Sequence, residues 1–267
     1  MLRDITLGQY FPGDTVVHRL DPRTKILLVI VYIAALFIAK GFPAYGVLLA
    51  VLITVIAVSK ISVKVILKSL KPLLFILVLT GLLNLFYTQG EPLVQFWIFT
   101  ITREGILSAV FMVLRIAMLI SCTFLLTYTT SPIALTDGLE LLLNPLKKIK
   151  VPVHELAMMM SIALRFIPTL IKETDKIICA QKARGADFET GNLLARAKAL
   201  IPILVPLFVS AFRRADELAV AMECRCYHGG DGRTRMKKLQ YGKQDIFALI
   251  FGFLLLLVTI ILPKFTA

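Results

Sequence analysis

The chain has 267 residues, is 58% hydrophobic and has a mean hydropathy of +0.82, well above the ~45–50% apolar content of soluble domains. This composition excludes an ordinary soluble domain and predicts a polytopic membrane protein. The net charge of +13 is read as the Lys and Arg of cytoplasmic loops, and no nucleic-acid partner is expected from it.

The N-terminal stretch "MLRDITLGQYFPGD" has no basic segment leading into an apolar run. The first apolar segment, "KILLVIVYIAALFIA" at 25–39, is therefore read as a retained transmembrane helix and not a signal peptide. A second span follows at 42–59. Residues 60–72, "KISVKVILKSLKP", place Lys60, Lys64, Lys68 and Lys71 at helical spacing opposite Ile, Val and Leu. They predict an amphipathic helix on the lipid surface. Further spans are expected at 72–87, 105–129 and 246–262, with loops at 40–41 and 88–104. The fold class is thus all-α, with about five transmembrane helices.

Residues 131–243 hold 18 of the 30 Lys and Arg residues, whereas the two short loops hold one each. The alternation puts the N-terminus in the cytoplasm and the C-terminus outside. Three regions follow: an N-terminal segment with four spans (1–130), a cytoplasmic helical region (131–243), and a final span (244–267). "SPIALTDGLE" opens a helix with Ser131 as N-cap and Pro132 at the first helical position. "LAMMMSIALRFIPTLI" (156–171) and "LIPILVPLFVSAF" (200–212) are apolar enough to compete as spans, which would make seven. Arg165 interrupts the first, and Pro202 and Pro206 the second. Both are read as long amphipathic helices that touch the membrane at their starts and turn polar toward their ends.

These two helices carry an internal repeat. With Asp175 set over Asp216, "DKIICAQKARGA" aligns with "DELAVAMECRCY", and an arginine follows nine residues later in each: Arg184 and Arg225. A single arginine near a helix end serves the dipole, and a glycine after it serves the cap. Two copies suggest two equivalent sockets on a paired partner, because arginine is common at interface hot spots and grips carboxylates bidentately.

"ITLGQYFPGDTVVHRLDPRTKILL", "TTSPIALTDGLE", "QKARGADFE" and "AMECRCYHGG", taken together and in order over nearly the whole chain, resemble the transmembrane (EcfT) component of energy-coupling factor transporters. The resemblance implies long cytoplasmic coupling helices and three partners: two ABC-type ATPases and a small membrane S component that binds a vitamin or micronutrient. It further implies that two short Ala-Arg-Gly-type motifs dock into the ATPases. The first is intact as Ala183, Arg184 and Gly185. The second departs from the pattern as Cys224, Arg225 and Cys226. The dedicated cobalt or nickel importer subunit is a near relative, but the opening "GQYFPGDTVVHRLDPRTK" is closer to the shared type.

The remaining chemistry is sparse. "YGKQD" lacks the rest of a phosphate-binding loop, and no H-E-x-x-H or G-x-S-x-G occurs. The chain is expected to be no enzyme, to need no cofactor and to leave ATP hydrolysis to its partners. Cys122, Cys179, Cys224 and Cys226 form no disulfide pattern. Cys224, Cys226 and His228 make half of a metal site without a fourth ligand, so no metal is expected. Arg115 is the one charge well inside a span. It pairs with a carboxylate or carbonyl, contacts the S component, or snorkels. A stand-alone secondary transporter or channel would need polar residues at midplane on several spans, and the spans hold no carboxylate.

Overall fold

The computed structural model describes residues 10–88, 92–96, 99–186, 188, 192–230 and 239–266. It is helical apart from one small hairpin. After the short α1 (Val16–Arg19), α2 (Pro22–Ile38) begins at Asp21, whose carboxylate accepts from the Arg23 backbone N–H at 2.9 Å, with Pro22 at the first position. α3 (Gly41–Ser59) stops where Lys60 turns left-handed at φ 55°. That turn removes Lys60 from the amphipathic helix expected over 60–72. The helix that forms, α4 (Val63–Leu70), keeps Lys64 and Lys68 exposed and buries Ile66. A 3-10 turn at Lys71–Leu73 then leads directly into α5 (Leu74–Tyr87).

The loop expected over 88–104 contains two antiparallel strands, β1 (Pro92–Phe96) and β2 (Phe99–Thr102), with Gln95 opposite Thr100 and Phe96 opposite Phe99. Their β-branched and aromatic residues favour this pairing. α6 (Arg103–Thr129) starts on the Thr102 hydroxyl, which accepts from the Gly105 N–H at 3.0 Å. α6 packs closely on α5: a Cβ at Gly105 would stand 2.9 Å from the Leu85 carbonyl oxygen. α7 (Pro132–Leu143) has its expected cap, with the Ser131 hydroxyl accepting from the Ala134 N–H at 3.3 Å. Two 31-residue helices follow, α8 (Val153–Ala183) and α9 (Leu193–Glu223), and then α10 (Lys243–Thr266).

Among the described residues, five helices are long and apolar enough to cross a membrane: Gly41–Ser59, Val63–Tyr87, Arg103–Thr129, Val153–Ala183 and Lys243–Leu262. Four overlap expected spans, with Val63–Tyr87 also taking in most of the stretch expected as a separate surface helix. The fifth, α8, is the least apolar, because the run at 156–171 gives way to Lys172, Glu173, Asp175 and Lys176. The expected first span, α2, is 17 residues long and so ~26 Å, at the short limit for a bilayer-spanning helix.

The chain forms two compact units, one drawn from residues 8–138 and 239–267 and the other from 139–238. In the first, Leu36, Tyr45, Leu48, Met118, Cys122 and Leu255 form a core between α2, α3, α6 and α10. Large apolar side chains such as Ile53, Phe75 and Phe253 face outward, as lipid-facing surfaces do. One end of this core is closed by buried ionic groups. Asp245 accepts from the backbone N–H of Asp21 and of Gly242, each at 2.8 Å. Arg23 pairs with Asp21 at 2.9 Å and lies 4.0 Å over the Tyr241 ring. Lys25 Nζ donates to the Thr129 carbonyl at 2.9 Å, the Thr130 hydroxyl at 3.2 Å and the His18 carbonyl at 3.1 Å. Every charge here has a partner, which is the condition for burying it. The stretch "LDPRTK" thereby ties α1, α2, α6 and α10 together.

Candidate functional site

The second unit is built around α8 and α9, and the site lies at their C-terminal ends. Both ends close with the same backbone geometry. At the end of α8, the Ala186 N–H bonds back to the Gln181 carbonyl at 3.0 Å and Gly185 turns left-handed at φ 87°. At the end of α9, the Tyr227 N–H bonds back to the Met222 carbonyl at 3.1 Å and Cys226 turns left-handed at φ 55°. Each is a Schellman closure. Gln181 and Met222, Arg184 and Arg225, and Gly185 and Cys226 are all related by the offset of the sequence repeat.

The second end differs from expectation in one respect. Its left-handed residue is Cys226, while Gly229 and Gly230 lie beyond the cap. Gly230 instead packs against the His154 ring, where a Cβ would come within 2.5 Å. His154 in turn pairs through Nδ1 with Glu140 at 2.9 Å. Cys226 pays the steric cost of a left-handed L-residue, ~1–2 kcal/mol. Cys226→Gly is therefore expected to stabilise this helix end by about 1 kcal/mol, seen as a higher unfolding midpoint of the purified chain; an unchanged or lower midpoint would contradict the strain.

Arg184 and Arg225 are exposed, and neither guanidinium has a partner among the described residues. Ala183, Cys224 and Cys226 are exposed beside them, and nothing lies within 4 Å of where a Cβ would stand on Gly185. Caps of this kind use backbone atoms, so both arginine side chains are available for contact. Among the described residues no three His, Cys, Asp or Glu side chains converge as a metal site.

The two helices cross through contacts that the sequence reading missed. Glu173 on α8 accepts from Arg214 on α9 at 2.8 Å and from the Ser210 hydroxyl. Positions 173 and 214 are themselves related by the repeat offset, so the ion pair joins equivalent points of the two copies. Arg184 and Arg225 each lie eleven residues beyond it, about 16 Å along a helix. A second contact follows from proline chemistry. Pro206 has no N–H for the Pro202 carbonyl four residues back, and the Gln181 side-chain amide donates to that carbonyl at 3.3 Å. Gln181 lies near the end of α8 and Pro202 near the start of α9. With the Glu173–Arg214 pair, this sets the helices running in opposite senses past each other.

Among the described residues, Arg115 on α6 has no carboxylate beside it. Its Nε donates to the Tyr45 hydroxyl at 2.8 Å.

Fold and site together define a multi-pass helical membrane protein with two long helices whose matched ends each present an arginine. The sequence profile of the CbiQ family, described as a cobalt transport protein, matches residues 13–236. The chain is 55% identical to the energy-coupling factor transporter transmembrane protein EcfT of Clostridium kluyveri over 98% of its own length and 97% of that protein. It is 48% identical to the protein of that name from Bacillus subtilis (94% and 95% covered) and 44% identical to that from Lactococcus lactis subsp. cremoris (98% and 99% covered). The chain belongs to the EcfT family of energy-coupling factor transporter transmembrane proteins.

Proposed function

We propose that this chain is the energy-coupling scaffold of an ATP-driven importer of a vitamin or other micronutrient. It joins two cytoplasmic ABC-type ATPases to a small membrane component that binds the substrate. Ala183–Arg184–Gly185 docks into one ATPase and Cys224–Arg225–Cys226 into the other. The observation that carries the reading is the pair of exposed, unpartnered arginines on identically closed helix ends, set at equal distances from one crossing. When ATP draws the two ATPases together, both arms are pulled and the motion of each helix passes to the other through the crossing. ATP is hydrolysed by the partners. The family membership supports the transport role.

The test is co-purification. Tagged wild-type chain, solubilised in mild detergent from its native host, is expected to retain two ABC-type ATPases and a small membrane protein; a chain that comes down alone would overturn the assignment. The charge distribution supports a cytoplasmic N-terminus and an outside C-terminus. A reporter fused at Ala267 is expected to give an extracytoplasmic signal, and a cytoplasmic signal would mean an even number of spans.

A further inference from the structure

Arg115 carries a charge that has no carboxylate partner among the described residues. The helices around it, α2, α3 and α6, hold one acidic residue between them, Glu104. That residue lies eleven positions away along α6, ~16 Å. A guanidinium has five N–H donors. One is used, by the bond from Nε to the Tyr45 hydroxyl, and the Nη groups have no acceptor among the described residues. The faces of two rings accompany the cation, with the guanidinium carbon 5.7 Å from the Phe37 ring centre and 5.8 Å from that of Tyr45. Rings at these distances attract a cation but accept none of its in-plane N–H groups. In hydrocarbon such donors require an acceptor from elsewhere.

Depth indicates the source. Phe37 is the penultimate residue of α2 and Tyr45 the fifth of α3. Both lie within about 8 Å of the chain reversal at Ala39 and Lys40, where α2 gives way to α3. Arg115 itself is the thirteenth residue of α6, ~18 Å from its start, and its bond to the Tyr45 hydroxyl near the start of α3 draws the guanidinium from mid-span toward the headgroup layer on the side of the α2–α3 turn. Around it, Phe42 and Tyr45 both pack on Phe111, at 4.8 and 5.0 Å between ring centres. Phe37 and Phe42 remain 61% and 62% exposed. Amphipathic and aromatic rings at this level form the belt that meets lipid glycerol and upper acyl chains. An unpaired fork-shaped cation above exposed rings matches an anionic head on an apolar body.

We propose that Arg115, Tyr45, Phe37 and Phe42 form a binding site for the phosphodiester of an anionic phospholipid, in the leaflet reached by the α2–α3 turn. The Nη groups hold the phosphate oxygens bidentately, the Tyr45 hydroxyl aims the guanidinium through Nε, and the two phenylalanines line the upper acyl chains.

The test uses the full-length chain, purified in neutral detergent, stripped of lipid and titrated with phosphatidylglycerol, with bound lipid counted by native mass spectrometry. Wild type is expected to retain one phosphatidylglycerol that survives stripping conditions, with at least ten-fold lower occupancy for phosphatidylcholine and no displacement by millimolar inorganic phosphate. Arg115→Gln should lower phosphatidylglycerol occupancy at least ten-fold, with Arg115→Lys intermediate. Tyr45→Phe, which keeps the ring and removes only the aiming hydroxyl, should lower it about three-fold, and it carries the test if Arg115→Gln does not fold. Equal retention by wild type and the variants would overturn the site. So would an Arg115→Gln chain that keeps its phosphatidylglycerol and loses a co-purifying small membrane protein, which would place Arg115 at a protein contact.

Discussion

Reversing both arginines, Arg184→Glu with Arg225→Glu, should strip the ATPases from the chain while leaving the chain folded in the membrane. The expectation of intact folding comes from the caps. Their closing bonds run between backbone atoms, Ala186 to Gln181 and Tyr227 to Met222, and neither arginine side chain takes part in them. The expectation of lost attachment comes from the exposure of both guanidiniums and their lack of partners among the described residues. A hot-spot arginine is worth ~2–4 kcal/mol on truncation, roughly 30- to 1000-fold in affinity, and a carboxylate in its place adds repulsion where the socket is acidic. The single reversals should be milder. An ATPase pair held at two points loses one contact and keeps the other, which holds the partner at high effective concentration. Co-purification of the ATPases should therefore fall in each single variant and disappear in the double one. Arg→Lys at either site should also weaken attachment, because lysine keeps the charge and loses the planar fork. A double variant that retains both ATPases in normal amounts would show that these ends are not the docking points.

What the sequence made legible was local. The Ser131 cap, the Arg184–Gly185 end and the spans over α3, α5, α6 and α10 follow from periodicity and capping chemistry acting within a few residues. The repeat was also readable, since Asp175 and Asp216 fix an offset that Arg184 and Arg225 obey. Contacts between distant residues were not. Asp245 reaches Asp21 across 224 positions and Lys25 reaches Thr129 across 104, and no pattern in a single sequence pairs them. Lys60 was misplaced because helical spacing cannot reveal that one residue turns left-handed and ends the preceding helix. The hairpin at 92–102 was passed over because its strands are only five and four residues long. One missed contact did have a signal. Pro206 necessarily frees the Pro202 carbonyl, so a donor such as Gln181 was required, although its identity was not given. The same offset that relates the arginines would have placed Glu173 over Arg214, opposite charges at equivalent positions.

That ion pair supports the second large expectation. Arg214→Glu should leave the ATPases attached and uncouple them. The substitution sets two carboxylates against each other where a 2.8 Å ion pair stood, and among the described residues Glu173 keeps the Ser210 hydroxyl. The pair is partly open to solvent, with side chains 35% and 23% exposed. Losing the pair and adding the repulsion should therefore cost the fold about 1–2 kcal/mol, too little to unfold α8 or α9. The mechanical consequence is larger. Both arms measure about 16 Å from this pair to their arginines, and a pull on either is transmitted to the other only if the crossing holds. In reconstituted vesicles, Arg214→Glu should co-purify with both ATPases and hydrolyse ATP, yet accumulate substrate at least ten-fold more slowly. The exchanged chain, Glu173→Arg with Arg214→Glu, restores the attraction with its direction reversed and should recover most of the uptake, which separates a loss of charge pairing from a loss of packing. If Arg214→Glu transports at the wild-type rate, force does not pass through this crossing. If the exchange fails to rescue a defective single variant, the defect lies in how these side chains pack and not in their attraction.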